Sequence, residues 1–362
     1  MPTAAELVLA GNNLTRVFQG ADPQIKHDLP PSFLTVTARA DRDRAEWIQV
    51  DGTRQLAQQV LYGGKSKSAL PTGARQRSGT LLHTFENFAL TQEELGRLRS
   101  PDETVRRLAE QSIAMKLRNQ RARVDNLRLA SVHAALLLGA VHFAAGQFQY
   151  SDSGATVSLD YGVPAGNKNQ LNLLGGGNLL SASWATATTN IPAMLETILR
   201  THTRKTGYQC RLAFYGDNLK TYLQTNNYTK DLIANNPAMA NAFLSPGIPQ
   251  GFLGLQWVPI TGAYYEDAAG TLVEYSTADK LVLCPEPAPD WWQVYEGSYQ
   301  VPRELKLGTS VEEMLGNLDT VYGRFAYAAG EMDPPSIVGY FGDTFAPIIT
   351  NPHALLIADV TP

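Results

Sequence analysis

Catalysis and metal binding need particular side chains at particular spacings, and this chain supplies few of them. Its six histidines are His27, His83, His133, His142, His202 and His353. No two stand at the separation that puts a pair of ligands on one helical turn. Cys210 and Cys284 are the only cysteines, too few for a disulfide scaffold, and they read as reduced, buried thiols made in a cytosol. Gly64-Lys65-Ser66 has the ending of a phosphate-binding loop, yet the upstream glycine would fall at Gln59 and no helix signal follows. Neither a Gly-x-Ser-x-Gly elbow nor a Gly-x-Gly-x-x-Gly turn after a strand is present. Glu312-Glu313 and Glu331 with Asp333 are paired acids in a chain where acids are abundant. No catalytic, cofactor-binding or metal-ligating residue is assigned on this basis, and the chain is not expected to be an enzyme, although a triad assembled in space leaves no trace in sequence.

Charge offers a different chemistry, that of contact. The formal balance over 362 residues is only -4, so a basic character must be regional. From Arg54 to Arg128 there are 14 Lys plus Arg against 7 Asp plus Glu, and from Tyr264 to Pro362 there are 4 against 15. In a self-assembling protein, one copy's basic segment could meet another's acidic lobe; in a monomer the two could pair internally. Arg54, Lys65, Lys67, Arg75 and Arg77 fall between Gly52 and Phe85 with no acid among them. Arg106, Arg107, Arg118, Arg121 and Arg128 gather on one face if 100–139 is helical.

That helix is the longest element expected. Ser100, Pro101 and Glu103 form an N-terminal capping pattern, Gly139 suits a left-handed stop, and neither Gly nor Pro intervenes. At ~1.5 Å per residue it would span ~57 Å. Val105, Ala109, Ile113, Leu117, Val124, Leu127, Ala134 and Leu138 make its apolar stripe beside the arginine face.

Around this spine the rest falls into order. Residues 3 to 17 read as a short amphipathic helix on a tethered arm, and Phe33–Thr37 and Trp47–Val50 as strands. A basic loop then runs through Gly63-Gly64 to Gly79, longer than compact domains normally hold without a partner. After the spine, 147–150 and 157–161 alternate as a β-hairpin about Ser151-Asp152-Ser153-Gly154, and Gly162–Thr189 reads as an irregular boundary. Asn190, Pro192 and Gly207 delimit a helix over 191–204; Leu212–Tyr215 is a buried strand, followed by a helix over 219–234. Further strands are expected at 255–260, 271–275, 281–284 and 354–358. Trp291-Trp292, Tyr295, Tyr299 and Phe325-Ala326-Tyr327 could stack on sugars or bases, but read more simply as core or interface anchors. No run of 18 apolar residues is present to cross a membrane.

In this order the pieces resemble a tailed-phage major capsid protein, and most nearly the lambda-like capsid protein E family. The resemblance rests on the Arg-rich spine ending in Ala134-Ala135-Leu136-Leu137-Leu138, on Val157-Ser158-Leu159-Asp160-Tyr161-Gly162, and on Leu212-Ala213-Phe214-Tyr215. Thr277-Ala278-Asp279-Lys280-Leu281-Val282-Leu283 and Asn351-Pro352-His353-Ala354-Leu355-Leu356-Ile357-Ala358-Asp359 extend it.

It implies an α+β fold of the Hong Kong 97 type, with an N-terminal arm (1–46), an extended loop (47–90), and a peripheral domain (91–188) holding the spine helix 101–138 and the hairpin. An axial domain (189–353) and a returning strand (354–362) complete it. The function implied is a major capsid protein forming hexamers and pentamers of an icosahedral shell around double-stranded DNA. Its partners would be itself, a portal protein, a separate scaffolding protein, a decoration protein and DNA without sequence specificity, with no membrane and no cofactor; assembly in the host cytoplasm would yield a virion. Arg54, Lys65, Lys67, Arg75 and Arg77 would make inter-subunit loop contacts, and Arg118, Arg121 and Arg128 could face DNA or pair with Glu110, Asp125 or a neighbour's acids. Loop lysines act in crosslinking relatives, but the lambda-like branch implies no crosslink here. An encapsulin-like compartment shell and a soluble α+β enzyme are the alternatives.

Overall fold

The computed structural model describes residues 28–41, 43–50, 74–90, 92–98, 100–151, 153–168, 182–260, 264–267, 269–302, 318–332 and 335–361. The expected helix over 3–17, the loop tip, Arg54, Lys65, Lys67, Glu312, Glu313 and Asp333 lie outside the described residues, as does part of the boundary at 162–189.

Two compact units divide the chain. One takes the sequence up to Ala45, Gly79–Val132 and Val294–Pro347; the other takes Glu46–Ser78, His133–Gln293 and Ile348–Pro362. The block 189–353, expected as one domain, is therefore split. The reason is hydrogen bonding: strands after residue 292 pair with strands that precede the spine.

The spine is a helix over Glu103–Leu138. It starts two residues later than expected because Asp102, not Ser100, is its cap: Asp102 Oδ1 accepts from the Thr104 N–H at 2.8 Å, while Ser100 Oγ accepts from Asp102 N–H at 3.2 Å. Gly139 ends it at φ +66, as its type predicts. The apolar stripe is the buried one, with Ala109, Ile113, Leu117, Val124 and Ala134 each at most 6% exposed. The arginine face divides: Arg106, Arg107 and Arg118 are exposed, whereas Arg121 and Arg128 are buried.

In the first unit, β1 (Ala38–Ala40), β4 (Leu82–Leu90), β13 (Trp292–Pro302), β14 (Leu318–Tyr322), β15 (Phe325–Met332) and β16 (Pro335–Ile349) join in one sheet. The expected strand at 33–37 is instead a 3-10 turn at Pro31–Phe33, and β1 begins at Ala38 and pairs in parallel with β13. β16 is central, antiparallel to both β15 and β4, with Tyr340 opposite Tyr327 on one side and Asn87 on the other. The two-residue period sends Phe341 and Asp343 to one face and Tyr340 and Gly342 to the other. A Cβ on Gly339 would overlap the Phe88 ring, and one on Gly342 would meet Phe325 and the Thr84 carbonyl. Strand-interior glycine is the condition for these rings to cross β16.

β2 (Arg44–Val50) pairs with β3 (Ala74–Thr80), bracketing the loop tip. In β2, Ala45, Trp47 and Gln49 are buried while Glu46 and Ile48 are exposed. β3 passes through buried Leu81 directly into β4, which belongs to the six-stranded sheet. The resemblance implies an extended loop over 47–90, but its last part, β4, lies in the six-stranded sheet instead.

In the second unit, β5 (Ala140–Ala144) lies between β6 (Gln147–Gln149) and β7 (Val157–Asp160). The hairpin expected between 147–150 and 157–161 is not formed, because β5 takes both partners. A second sheet runs β17 (Leu356–Asp359), β12 (Lys280–Cys284), β8 (Leu212–Tyr215), β9 (Gln256–Pro259), with only β8 and β9 parallel. Its core includes Trp184, Leu195, Ile198, Ala213, Leu219, Trp257, Leu283 and Leu356. The helix Ile191–Thr206 has the expected ends, Asn190 accepting from Ala193 N–H and Gly207 at φ +89. The single helix expected over 219–234 is two, Asn218–Thr225 and Asn227–Ala234. Buried Asn226 breaks it: its Oδ1 accepts from the Thr229 N–H at 3.1 Å, and its Nδ2 donates to the carbonyls of Thr189 and Ala187 at 2.6 and 3.2 Å. A further helix, Pro237–Leu244, follows, and then β10 (Tyr264–Glu266) pairs antiparallel with β11 (Leu272–Glu274).

Candidate functional site

Arg128 projects from the spine into a buried cluster of charge. Its Nε and Nη2 donate to the two carboxylate oxygens of Asp343 at 2.5 and 2.6 Å, and Nη2 also donates to Glu296 at 2.8 Å. The guanidinium carbon lies 4.6 Å from the centroid of Phe345. Two turns earlier on the spine, Arg121 Nε donates to Asp125 at 2.9 Å, and Asp125 also pairs with Arg324. The cluster holds three guanidinium groups and three carboxylates, so it is neutral as a whole. Burial alone would depress the Arg128 guanidinium, but Asp343 and Glu296 outweigh it and hold its pKa above the ordinary arginine value. Arg324 goes the other way, pushed down to about 10 by burial and by the positive charge of Arg128, against the pull of Asp125 and Asp343.

These partners decide what the spine arginines can touch. Arg121 and Arg128, expected on an exposed polar face that could meet DNA, are sequestered in this cluster, and Arg121 takes the Asp125 partner that its i,i+4 spacing allowed. Arg118 is exposed. Replacing a buried, neutral cluster by well-packed apolar groups is often harmless, but removing one member strands its partners and costs about 3–5 kcal/mol. Through this cluster the spine at 121–128 meets β13 at Glu296, β16 at Asp343 and Arg324 just before β15.

Opposite Asp343 on the sheet lies an aromatic face. Tyr299 and Phe325 stack with centroids 3.9 Å apart and planes 5° apart, Phe85 and Tyr340 at 5.5 Å and 6°, and Tyr327 and Tyr340 at 5.1 Å. His83 stacks on Tyr299 at 5.5 Å and shares a hydrogen bond with Thr344 Oγ1 at 2.9 Å; burial lowers its pKa, against Asp343 and Asp43. Phe85 remains 44% exposed. Trp291 and Trp292 are buried, as anchors should be. The two-residue alternation His83, Phe85 on β4 and Phe325, Tyr327 on β15 was the sequence signal for this face.

Of the loop residues expected at subunit contacts, Arg75 and Arg77 are described. Arg77 packs against its own chain: a Cβ on Gly162, whose φ is +71, would meet its Nη2 at 2.8 Å. Arg75 is exposed on β3.

One arrangement has the makings of a nucleophile and base. His202 Nδ1 lies 3.4 Å from Cys210 Sγ, and its Nε2 donates to the His353 carbonyl at 3.0 Å. Burial pushes the Cys210 thiol up to about 12 and lowers His202, so this pair rests as neutral thiol and neutral imidazole. It ties the helix Ile191–Thr206 to the segment before β17. Among the described residues no group of three or more His, Cys, Asp or Glu side chains is placed to hold a metal ion, and no helix is long and apolar enough to cross a membrane.

No protein-family model matches the chain, and no curated protein matches it. Solved structures do. A phage-related protein from Bordetella bronchiseptica RB50 aligns over 97% of both chains with a TM-score of 0.52 and 10% identity. The mature capsid of bacteriophage PhiM1 aligns over 90% of this chain and 84% of that one, with a TM-score of 0.41 and 11% identity. The holo-SrpI encapsulin of Synechococcus elongatus PCC 7942 covers 94% and 90%, with a TM-score of 0.42 and 10% identity. The match to the Bordetella protein over nearly the whole of both chains shows a shared fold, and the helices and sheets described above make it α+β.

Proposed function

We propose that this chain is the major capsid protein of a tailed phage, a structural protein that closes hexamers and pentamers of itself into an icosahedral shell around double-stranded DNA. The observation that carries the reading is the fold likeness to a phage-related protein over 97% of both chains. The sequence resemblance to capsid proteins points the same way. The long basic hairpin bracketed by β2 and β3 would lie on a neighbouring subunit, with Lys65, Lys67 and Arg75 meeting acids there and apolar area contributing ~25 cal/mol per Å². Arg118, with Arg106 and Arg107, is the part of the spine left to soften repulsion from enclosed DNA without reading sequence. Portal, scaffolding and decoration proteins would be its further partners, and host cytoplasm its place of assembly. Deleting residues 63–77 tests the loop: the expected result is loss of closed shells by electron microscopy, and normal shells would remove the loop from the account. Nucleic acid extracted from particles made during infection is expected to be phage DNA; a protein cargo instead would make the shell a compartment.

A further inference from the structure

We propose that a groove on the second unit receives the Leu244 tip of a second copy of this chain, an inference that rests on the shell reading and names the surfaces through which neighbouring copies join. The groove, of about 840 Å³, opens between the helices Ile191–Thr206 and Asn227–Ala234. Its apolar wall is Leu199, Tyr228, Leu232 and Leu253. Tyr228 and Leu232 are 45% and 48% exposed, high for side chains of this size. Leu253 sits at φ +55 between Gly251 at +80 and Gly254 at +76, a left-handed conformation that a leucine adopts only where its surroundings enforce it. Such strain gathers at binding surfaces. At the rim, Glu196 and Asp231 face a single cation, Arg200, and none of the three makes an ion pair among the described residues.

The occupant is argued from the same unit. Leu244 ends the helix Pro237–Leu244 and is 84% exposed, more than any other large hydrophobic residue described. The tip is not loose: adjacent Phe243 is 4% exposed and packs edge-on against Phe252 at 5.0 Å. Lys220 Nζ donates to the Ser245 carbonyl at 2.6 Å, which places a positive charge beside Leu244. Between Asp231 and Glu266 the sequence has no charged residue, so the tip itself carries no charge that would have to be desolvated. Leu244 is not part of the groove lining, and its own exposure shows that it does not fill the groove of its own chain. Tip and groove are thus two different patches, one apolar with a cation beside it, the other apolar with a net negative rim. A contact between them is head-to-tail, the type that generates rings when its rotation closes.

Full-length protein carrying Leu244→Asp or Leu232→Asp tests this. Both positions are exposed, so below the concentration at which particles form, melting temperature and circular dichroism are expected to stay at wild-type values. Each variant is expected to lose particles and to weaken subunit association at least ~30-fold, the scale of an interface hot spot. Mixing the two is expected to give heterodimers, because one tip and one groove remain intact, while either variant alone stays monomeric. Lys220→Glu is expected to impair assembly and Asp231→Lys to restore it in the double variant, an arm that leaves the apolar residues untouched and stands if an aspartate variant misfolds. Wild-type-like particles from both aspartate variants would overturn the inference and leave the shell reading standing. Loss of particles from Leu232→Asp but not from Leu244→Asp would assign the groove to another occupant and overturn it too. A wild-type protein that never assembles would remove both.

Discussion

Replacing Arg128 by methionine should be the most damaging single change on the spine that leaves its helix propensity intact. The side chain is 5% exposed, and it serves both oxygens of Asp343, itself 4% exposed, together with Glu296 at 15%. Methionine fills similar length above Phe345 but leaves two desolvated carboxylates with no cation between them. That loss is worth about 3–5 kcal/mol. At about 2–4 °C per kcal/mol for a domain of this size, the melting transition should fall by about 6–20 °C. Arg128→Lys keeps the charge as a single point donor and should cost less, about 1.5–3 kcal/mol, because one ammonium cannot reproduce the paired donation to Asp343. Arg128→Met combined with Asp343→Leu should recover much of the deficit, since most of it is stranded charge. The assay is urea unfolding below the concentration at which particles form, with and without 0.5 M sodium chloride. A buried pair is little screened, so salt should leave the difference unchanged. If Arg128→Met lies within ~1 kcal/mol of wild type, the cluster is not what registers the spine against the sheet.

Three further outcomes follow from the geometry. Asn226→Ala removes a helix cap, a buried donation to the Thr189 carbonyl and a half-buried one to the Ala187 carbonyl, and should lower stability by about 2–3 kcal/mol in the same urea assay. His202 is held below its unfolded pKa by burial, so the unfolded chain binds more protons just below pH 6.5; stability should be full above that pH and fall as the pH drops below it, by at most about 1.4 kcal/mol per unit, and His202→Gln should flatten the slope of stability against pH. Arg118→Glu reverses an exposed charge, so it should leave empty shells and melting temperature intact while lowering the DNA packaged per particle; unchanged packaging would remove the spine from contact with DNA.

Legibility in sequence tracked how local each determinant is. The spine could be read because its 3.6-residue stripe, its acidic first turn and Gly139 are all contained in one segment. The helix at 191–206 was legible from Asn190, Pro192 and Gly207, and β8 and β12 from short apolar runs buried on both faces. Arg121–Asp125 was visible as an i,i+4 pair, but Arg128 meets Glu296 and Asp343 across 168 and 215 positions, a separation no spacing rule covers. β16 gives little strand signal of its own, since Gly339, Gly342 and Pro347 argue against a strand; the need for those glycines lies in the rings of Phe88 and Phe325, which come from other strands. The break at Asn226 is hidden because neither Gly nor Pro interrupts 219–234, and only burial of the asparagine side chain against 187–189 reveals it. The groove was illegible for a further reason: its walls come from 190–210, 228–235 and 253–254, and one of its features is a backbone angle.

The central claim is self-assembly into a closed shell, and the mass of the purified, full-length protein tests it most directly. Sedimentation velocity with electron microscopy of the fastest species, taken across protein concentration, salt and pH, should show megadalton particles closed by hexamers and pentamers. A monomer or an oligomer of a few copies under every condition would contradict it.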